Sequence, residues 1–130
     1  MKTIPLTDYI IERLPEIWQR TGEHIFLAGI STTIAVIIGI PLGILAFYRP
    51  SLRVPLMGIV SIFQTIPSLA MLVIFLALFQ KIGVIPAILT LILYALLPIV
   101  RNTLTALQGI APEIIEAARG IGMTEWQKMR

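Results

Sequence analysis

The sequence predicts an all-α membrane protein with three transmembrane helices, preceded by an amino-terminal interfacial helix and followed by a helical segment in the cytoplasm. Hydrophobic residues make up 57% of the 130 residues and charged residues only 13%, whereas about 25% of a soluble domain is charged. The apolar residues are concentrated in three runs without Asp, Glu, Lys or Arg, at residues 25–47, 54–80 and 82–100. All ten Lys and Arg residues lie outside these runs, as expected of cations at membrane boundaries.

Residues 1–23 are predicted to form an amphipathic segment. Thr7 is a candidate N-cap, and apolar residues recur at helical spacing opposite charged ones. These apolar residues are Ile10, Ile11, Leu14, Ile17 and Trp18. Pro15 would remove a backbone hydrogen bond, so the segment forms either one helix or two short pieces. Two interpretations remain open: an anchor in the lipid headgroup region, or an ordered leader to the first span.

Residues 24–101 contain the three predicted spans. As a helix, residues 25–47 would rise about 35 Å, more than the hydrocarbon core of about 30 Å. The second and third runs are separated by a turn at Lys81 and Gly83, which predicts a tight hairpin. The third run is just long enough to cross the bilayer.

The distribution of cations predicts the orientation of the chain. Arg49 and Arg53 lie in the short connection after the first span, whereas the hairpin contains Lys81 alone. Further cations follow the third span at Arg101, Arg119, Lys128 and Arg130. Because short loops rich in Lys and Arg stay in the cytoplasm, both basic stretches are predicted inside and the amino terminus outside.

Composition also argues against several classes of chemistry. The chain has no cysteine and a single histidine, His24, so a thiol nucleophile is excluded and a histidine-based metal site is not expected. No GxxxxGK[ST] phosphate loop occurs, so ATP is not bound by that device. The net charge of +3 is explained by cations at membrane boundaries, so no nucleic-acid partner is predicted. We expect a non-enzymatic protein without a cofactor, whose environment is the lipid bilayer.

Polar residues and a proline interrupt the middle of the second span. Its midpoint is Pro67, within the sequence Gln64–Ser68. A proline frees a carbonyl on the preceding turn, and an unpaired carbonyl in lipid costs several kcal/mol. In one interpretation Thr65 or Ser68 pairs the freed groups and the segment is a kink. In the other, the broken turn lines a water-filled path in which Gln64 and the freed carbonyls contact a solute.

The other two spans contain similar interruptions. The small residues of the Gly39–Gly43 segment predict close approach of a neighbouring helix, and Pro41 is predicted to bend the first span. In the third span, Pro98 leaves the carbonyl of Tyr94 without its helical partner. Helix packing is the default explanation for both. The hydroxyls of Ser31–Thr33 are expected to bond to their own helix, without a functional role.

Residues 102–130 are predicted to form a helix, a glycine elbow and a second helix. Pro112 suits the first helical position, Glu113 complements the positive end of the helix dipole, and Arg119 suits the last turn. Gly120 and Gly122 permit left-handed or closely approached backbone.

A second helix is predicted to begin beyond this elbow. Thr124 and Gln127 have the spacing of a capping box. The predicted face along the two helices comprises Ile115, Ala118, Gly122 and Trp126. Its small central residues favour close approach of another protein.

The segment EAARGIG, Glu116–Gly122, matches the pattern EAA, three residues, Gly. It resembles the EAA loop of permease subunits of binding-protein-dependent ABC importers. Three stretches together are similar to the branch that imports quaternary-ammonium osmoprotectants such as glycine betaine, carnitine and choline. They are QTIPSLA (Gln64–Ala70), LYALLPIVRNT (Leu93–Thr103) and EAARGIGMTEWQ (Glu116–Gln127). The resemblance covers the chain from about Tyr9 onward.

This resemblance implies a partial ABC-importer permease fold in the plasma membrane, with a cytoplasmic coupling helix that docks on a separate ATPase chain. It implies that the coupling residues are Glu116, Ala117, Ala118, Arg119, Gly120 and Gly122. The candidate lining of the translocation path is Gln64, Thr65, Pro67, Ser68 and Tyr94. The implied partners are a cytoplasmic ABC ATPase, a second permease subunit in a homodimer or heterodimer, and an external substrate-binding protein.

The chain departs from the family pattern at its carboxyl end. The family motif continues with I-x-L-P beyond the position of Arg130, and the resemblance implies at least five spans, of which three are predicted here. The expectation is therefore a chain truncated at this end. The alternative function is that of a small three-span membrane protein without transport activity, either a regulator or an assembly factor, or a non-functional permease fragment.

Overall fold

The computed structural model describes residues 6–124 and Gln127, and this part of the chain is helical without strands. Its helices are α1 (Leu6–Tyr48), α2 (Pro50–Thr65), α3 (Ser68–Phe79), α4 (Val84–Gln108) and α5 (Pro112–Gly120). Two of them, α1 and α4, are long and apolar enough to cross a membrane. The number becomes three if α2 and α3, which are bent by 92°, form one broken span. The all-α prediction is confirmed.

Helix α1 runs without a break through Pro15 and Pro41. The possibility of two short pieces is therefore wrong, and Thr7 lies inside the helix rather than at its N-cap. Side chains from Tyr9 to Phe26 are exposed. Water or lipid headgroups can therefore pair the carbonyl of Ile11 that Pro15 leaves free, which reduces the cost of a proline inside a helix.

The amino-terminal part of α1 is helical and carries two ion pairs. The ion pairs are Arg13–Glu16 at 3.1 Å and, about two turns further along the helix, Arg20–Glu23 at 3.2 Å. The predicted apolar positions Ile10, Ile11, Leu14, Ile17 and Trp18 are all exposed. Each exposed pair of this kind contributes only about 0.3–0.5 kcal/mol, so the ion pairs support the helix without fixing its surroundings.

The connection between α1 and α2 is a single residue, Arg49. The backbone N–H of Arg49 donates to the carbonyl of Leu45 at 2.9 Å. The Nε of Arg53, in the first turn of α2, donates to the carbonyl of Ala46 at 3.4 Å. A cation thus contacts the negative end of α1, where the last carbonyls have no helical partner.

Helices α1 and α4 pack closely through two glycines. A Cβ added at Gly39 would lie 2.7 Å from Cγ2 of Ile99, and one at Gly43 would lie 2.6 Å from Cβ of Thr103. The predicted close approach is therefore confirmed. Because positions on α1 and α4 increase together along the contact, the two helices are parallel. The buried residues around this contact include Ala35, Ala46, Leu96, Leu97 and Val100.

The predicted second and third spans differ from the observed helices at their ends. Helix α3 ends at Phe79, and the left-handed residue of the turn is Gln80, with φ of 50°, rather than a glycine. Helix α4 begins at Val84 and continues past Arg101 to Gln108. A loss of apolar character marks the bilayer boundary, but it does not by itself end a helix, because an arginine continues a helix well.

Candidate functional site

The first candidate site is the corner between α2 and α3. Ile66 has φ −81° and ψ 126°, Pro67 has φ −54° and ψ 137°, and the helices on either side are bent by 92°. Both residues are extended, so the helical hydrogen bonds stop at Thr65 and restart when the N–H of Met71 donates to Pro67 at 3.0 Å. With 16 and 12 residues, α2 and α3 are about 24 and 18 Å long. Neither alone crosses a hydrocarbon core of about 30 Å.

Two hydrogen bonds connect this corner to α4. The amide Nε2 of Gln64 donates to the carbonyl of Tyr94 at 3.1 Å, and the hydroxyl of Tyr94 donates to the carbonyl of Ile66. Both acceptors lack a helical partner: Pro98 has no N–H for the carbonyl of Tyr94, and Ile66 lies outside both helices. Such carbonyls cost several kcal/mol in lipid when they are unpaired. We call these two bonds the Gln64–Tyr94 clamp.

The corner lies near the middle of the α1–α4 pair. Tyr94 is five residues before Ile99, which faces Gly39, so it is opposite about residue 34 of the parallel helix α1, by counting along both helices. The first apolar run extends over residues 25–47. If that run crosses the bilayer, the corner is close to the membrane midplane.

The remaining corner residues have different surroundings. Thr65 donates its hydroxyl to the carbonyl of Ile62 at 2.7 Å, whereas Pro67 removes the helical donor for the carbonyl of Phe63. The pairing that the kink interpretation expects of Thr65 is therefore not observed. Ser68 is exposed and lines an open groove of about 440 Å³ between α1, α3 and α4. Pro67 is exposed at the turn itself. The structure thus brings Gln64, Thr65, Pro67, Ser68 and Tyr94 together at one corner, with Gln64 and Tyr94 engaged in bonds to backbone.

The groove contains two polar residues that sequence analysis did not select. His24 and Thr90 line it beside Ser68, and the other lining residues are apolar. The hydroxyl of Thr90 is buried and donates to the carbonyl of Pro86 at 2.9 Å. Thr90 could have been selected from the sequence, because it is a polar residue within the third predicted span. His24 lies just before the first apolar run, and only the packing of α1 against α4 places it here.

The hydroxyls of the first span follow the prediction only in part. Thr33 donates to the carbonyl of Gly29 at 2.8 Å, as expected. Ser31 is 2% exposed and its Oγ has no hydrogen-bond partner among the described residues. The prediction that it bonds to its own helix is therefore wrong.

The second candidate site is the carboxyl-terminal helix α5. Its N-cap is Ala111, Pro112 occupies the first position, Glu113 lies in the first turn and Arg119 in the last turn, as the sequence predicts. No residue of α5 is buried. Among the described residues, neither Glu116 nor Arg119 takes part in an ion pair. Within the described part of the chain, both charged side chains are exposed.

The elbow after α5 has a defined geometry. Gly122 has φ of 78°, and its N–H donates to the carbonyl of Arg119 at 2.9 Å, while the N–H of Met123 donates to Ala118 at 3.0 Å. These are the two bonds of a Schellman motif with glycine at the left-handed position. Gly120 is instead the last helical residue of α5. The left-handed conformation predicted for the glycines is confirmed at Gly122 and is not adopted by Gly120.

The capping box beyond the elbow is also confirmed. The N–H of Thr124 donates to Oε1 of Gln127 at 2.8 Å, and the N–H of Gln127 donates to Oγ1 of Thr124 at 3.4 Å. Trp126, which was predicted to share a face with Ile115, lies outside the described residues.

The two candidate sites are joined by α4. From Tyr94 at the corner to Gln108 at its end, α4 extends for about 21 Å along its axis. Residues 109–111 then lead directly into α5. A displacement of α5 therefore has a short and mostly helical route to the corner.

Comparison with known proteins identifies relatives. Residues 25–130 match the family described as "Binding-protein-dependent transport system inner membrane component", and this match includes both the corner and α5. The chain is 41% identical over 126 residues to the osmoprotectant import permease protein OsmW of Salmonella typhimurium, covering 94% of this chain and 59% of that protein. It is 38% identical over 115 residues to the glycine betaine/carnitine/choline transport system permease protein OpuCB of Bacillus subtilis, covering 88% of this chain and 52% of that protein.

A third relative is the carnitine transport permease protein OpuCB of Listeria monocytogenes, 41% identical over 108 residues, covering 83% of this chain and 49% of that protein. The chain thus spans about half the length of the curated relatives it matches. No solved structure matches the chain.

Proposed function

Because the chain belongs to the family of binding-protein-dependent transport system inner membrane components, we propose that it is a permease subunit of an ABC importer for quaternary-ammonium osmoprotectants. The substrates are of the class of glycine betaine, carnitine and choline, which appear in the names of its relatives. The observation that carries this proposal is the match over residues 25–130, which contains the broken span and the exposed charged helix α5.

In this proposal the chain crosses the plasma membrane three times, through α1, the bent pair α2–α3, and α4. The amino terminus lies outside, and Arg49, Arg53 and Arg101 lie at the cytoplasmic boundary. The parallel packing of α1 and α4 supports a three-span arrangement, because two parallel helices must cross the membrane in the same direction. An intervening bent pair that returns the chain across the membrane satisfies the same requirement.

Helix α5 is the coupling helix that docks on a cytoplasmic ABC ATPase. Its exposed residues Glu116 and Arg119 make charged contacts with the ATPase, and Ala117 and Ala118 keep the helix narrow enough to enter a cleft. The elbow at Gly122 turns the chain away from the contact. ATP hydrolysis takes place on the partner chain.

The corner lines the translocation path. Gln64, Thr65, Pro67 and Ser68 are exposed at the corner, while Tyr94 is half-buried beside them. A quaternary ammonium has no N–H to donate and is favoured by aromatic faces, which Tyr94 and the half-buried Phe63 provide. The path is completed by a second permease subunit, identical or related, and an external binding protein delivers the substrate.

Uptake by reconstituted vesicles tests the proposed function. Vesicles that contain the chain, its ATPase and its binding protein are expected to accumulate radiolabelled glycine betaine, carnitine or choline in an ATP-dependent manner. A neutral sugar is the control solute and should not accumulate. Absence of ATP-dependent uptake for all three quaternary ammonium compounds would contradict the proposal.

Solvent access to Ser68 tests the proposed path. The chain contains no cysteine, so Ser68→Cys introduces a single reporter thiol that a membrane-impermeant reagent should modify in the assembled transporter. The matched control is Ser31→Cys, because Ser31 is 2% exposed and should remain unmodified. Equal protection of both positions would remove Ser68 from the path.

A further inference from the structure

The Gln64–Tyr94 clamp makes contacts that lining a path does not require. A lining residue needs only to face the path, whereas Gln64 and Tyr94 each donate a hydrogen bond to a backbone carbonyl across the α2–α4 contact. One acceptor, at Tyr94, is set free by Pro98, and the other, at Ile66, is set free by the corner itself. Each helix therefore supplies the donor that the interruption in the other helix requires.

The clamp is also the polar connection between the corner and the rest of the described molecule. Thr65 bonds within α2, and Met71 bonds to Pro67 within the first turn of α3. Neither of these bonds extends from the corner to α4. The angle between α2 and α3 is thus held against α4 by the two bonds of the clamp, together with apolar packing.

We propose that Gln64 and Tyr94 are positioning residues that couple the corner to α4, so that a movement of α5 is transmitted through α4 to the candidate path. Helix α4 carries Tyr94 and leads through three residues into α5. Pulling on α5 shifts α4, and the two bonds carry the shift to Gln64 and Ile66. This inference rests on the proposed function only for the source of the pull; the mechanical link itself is a property of this chain.

The link is tested first on the chain alone in lipid vesicles. Spin labels at Val73→Cys in α3 and Ile85→Cys in α4, both exposed positions, report the distance between the two helices. Tyr94→Phe removes one bond of the clamp and Gln64→Met removes the other, with little change of volume. We expect the population outside the main distance to rise about two- to tenfold for each variant, the factor that one hydrogen bond supplies.

Ser61→Ala is the matched control for this measurement. The hydroxyl of Ser61 donates to Met57 at 2.6 Å within α2, so its loss removes a hydrogen bond near the corner without affecting α4. An unchanged distance distribution in both Tyr94→Phe and Gln64→Met would overturn the clamp, whatever the chain transports.

The coupling is tested second, in the transporter assembled with its ATPase. The measured quantity is the ratio of the modification rates of Ser68→Cys with and without ATP. In Tyr94→Phe and Gln64→Met, we expect the effect of ATP on the modification rate to decrease by a factor of about two to ten, so that the ratio approaches one. Ser61→Ala should leave the ratio unchanged. A merely destabilising substitution would lower the amount of transporter but not the ratio.

The two measurements separate the failures of the two proposals. A changed distance distribution with an unaltered ratio overturns the coupling role, because the clamp is then a static brace. Absence of ATP-dependent uptake by the unmodified chain contradicts the proposed function, and the distance measurement still decides whether the clamp exists.

Discussion

Gly122→Leu is expected to lower substrate uptake per ATP hydrolysed by about tenfold or more, while leaving membrane insertion intact. Gly122 has φ of 78°, a conformation that costs a non-glycine residue about 1–2 kcal/mol. Because about 1.4 kcal/mol corresponds to a factor of ten, that strain is enough to displace the elbow from its conformation. The elbow lies outside the apolar runs, so insertion does not depend on it.

The cause of the Gly122→Leu effect can be separated from side-chain bulk. A Cβ at Gly122 would meet no atom within 4 Å, so within the described residues the penalty comes from the backbone rather than from a clash. Gly122→Asn should retain most of the coupling, since asparagine tolerates the left-handed conformation. Gly122→Ala should lower the coupling through backbone strain alone, because alanine adds only a small side chain.

Gly120→Ala, two residues earlier, tests whether the second glycine assigned to coupling is needed for its conformation. Gly120 is the last helical residue of α5, and among the residues that the structure describes a Cβ there also meets no atom within 4 Å. Alanine favours a helix over glycine by up to about 1 kcal/mol, so coupling should be maintained. The measurement is uptake and ATP hydrolysis by the same reconstituted transporter, and unchanged coupling by Gly122→Leu would count against the role of the elbow.

The carboxyl-terminal helix could be predicted almost residue by residue because its signals are local. Pro112, Glu113 and Arg119 act within one helical turn of the ends they mark. The reciprocal bonds of Thr124 and Gln127 span only three residues. What sequence could not decide was which glycine would be left-handed, because both Gly120 and Gly122 permit that conformation at similar cost.

The sequence could predict individual members of the clamp but not their pairing. The sequence indicates that Pro98 frees the carbonyl of Tyr94 and that Gln64 lies in the middle of a span. The two bonds of the clamp, however, join residues 30 and 28 positions apart. Their pairing depends on the 92° bend and on the packing of α2 against α4, which are set by tertiary structure and not by local pattern.

The amino-terminal half of α1 shows the converse case. Pro15 is a local signal for a break, and the helix nevertheless continues. The segment is exposed on all sides, so the lost hydrogen bond can be replaced by solvent, and the strong helical pattern on either side prevails. The same proline in lipid, away from any donor, would be a stronger reason for a break.

Gly43→Leu is expected to disrupt the packing of α1 against α4 and to destabilise the fold by about 1–3 kcal/mol or more, the range for overpacking a tight contact. A Cβ at this position would already lie 2.6 Å from Cβ of Thr103 and 3.0 Å from the backbone carbonyl of Val100. Neither atom is the flexible end of a side chain, so the helices themselves must separate. Gly43→Ala should lower the free energy of unfolding by an amount near the lower end of this range.

Two further variants identify the cause of this destabilisation. Gly29→Ala changes another glycine of α1, at which a Cβ meets no atom of the described part of the chain within 4 Å, so the stability should be unchanged or slightly higher. Combining Gly43→Ala with Thr103→Gly removes the side chain that Gly43→Ala would strike. It should restore part of the loss, because the carbonyl of Val100 remains close.

The free energy of unfolding in mixed detergent and lipid micelles measures these effects, with helix content as the signal. If Gly43→Leu and Gly29→Ala lower the unfolding free energy equally, the loss belongs to glycine replacement in general and the α1–α4 contact is not its source. A loss confined to position 43 and partly reversed at Thr103 would locate it at the contact. Helix α4 contains Tyr94 and leads into α5. The same Gly43→Leu variant should therefore also weaken the proposed coupling of ATP hydrolysis to uptake.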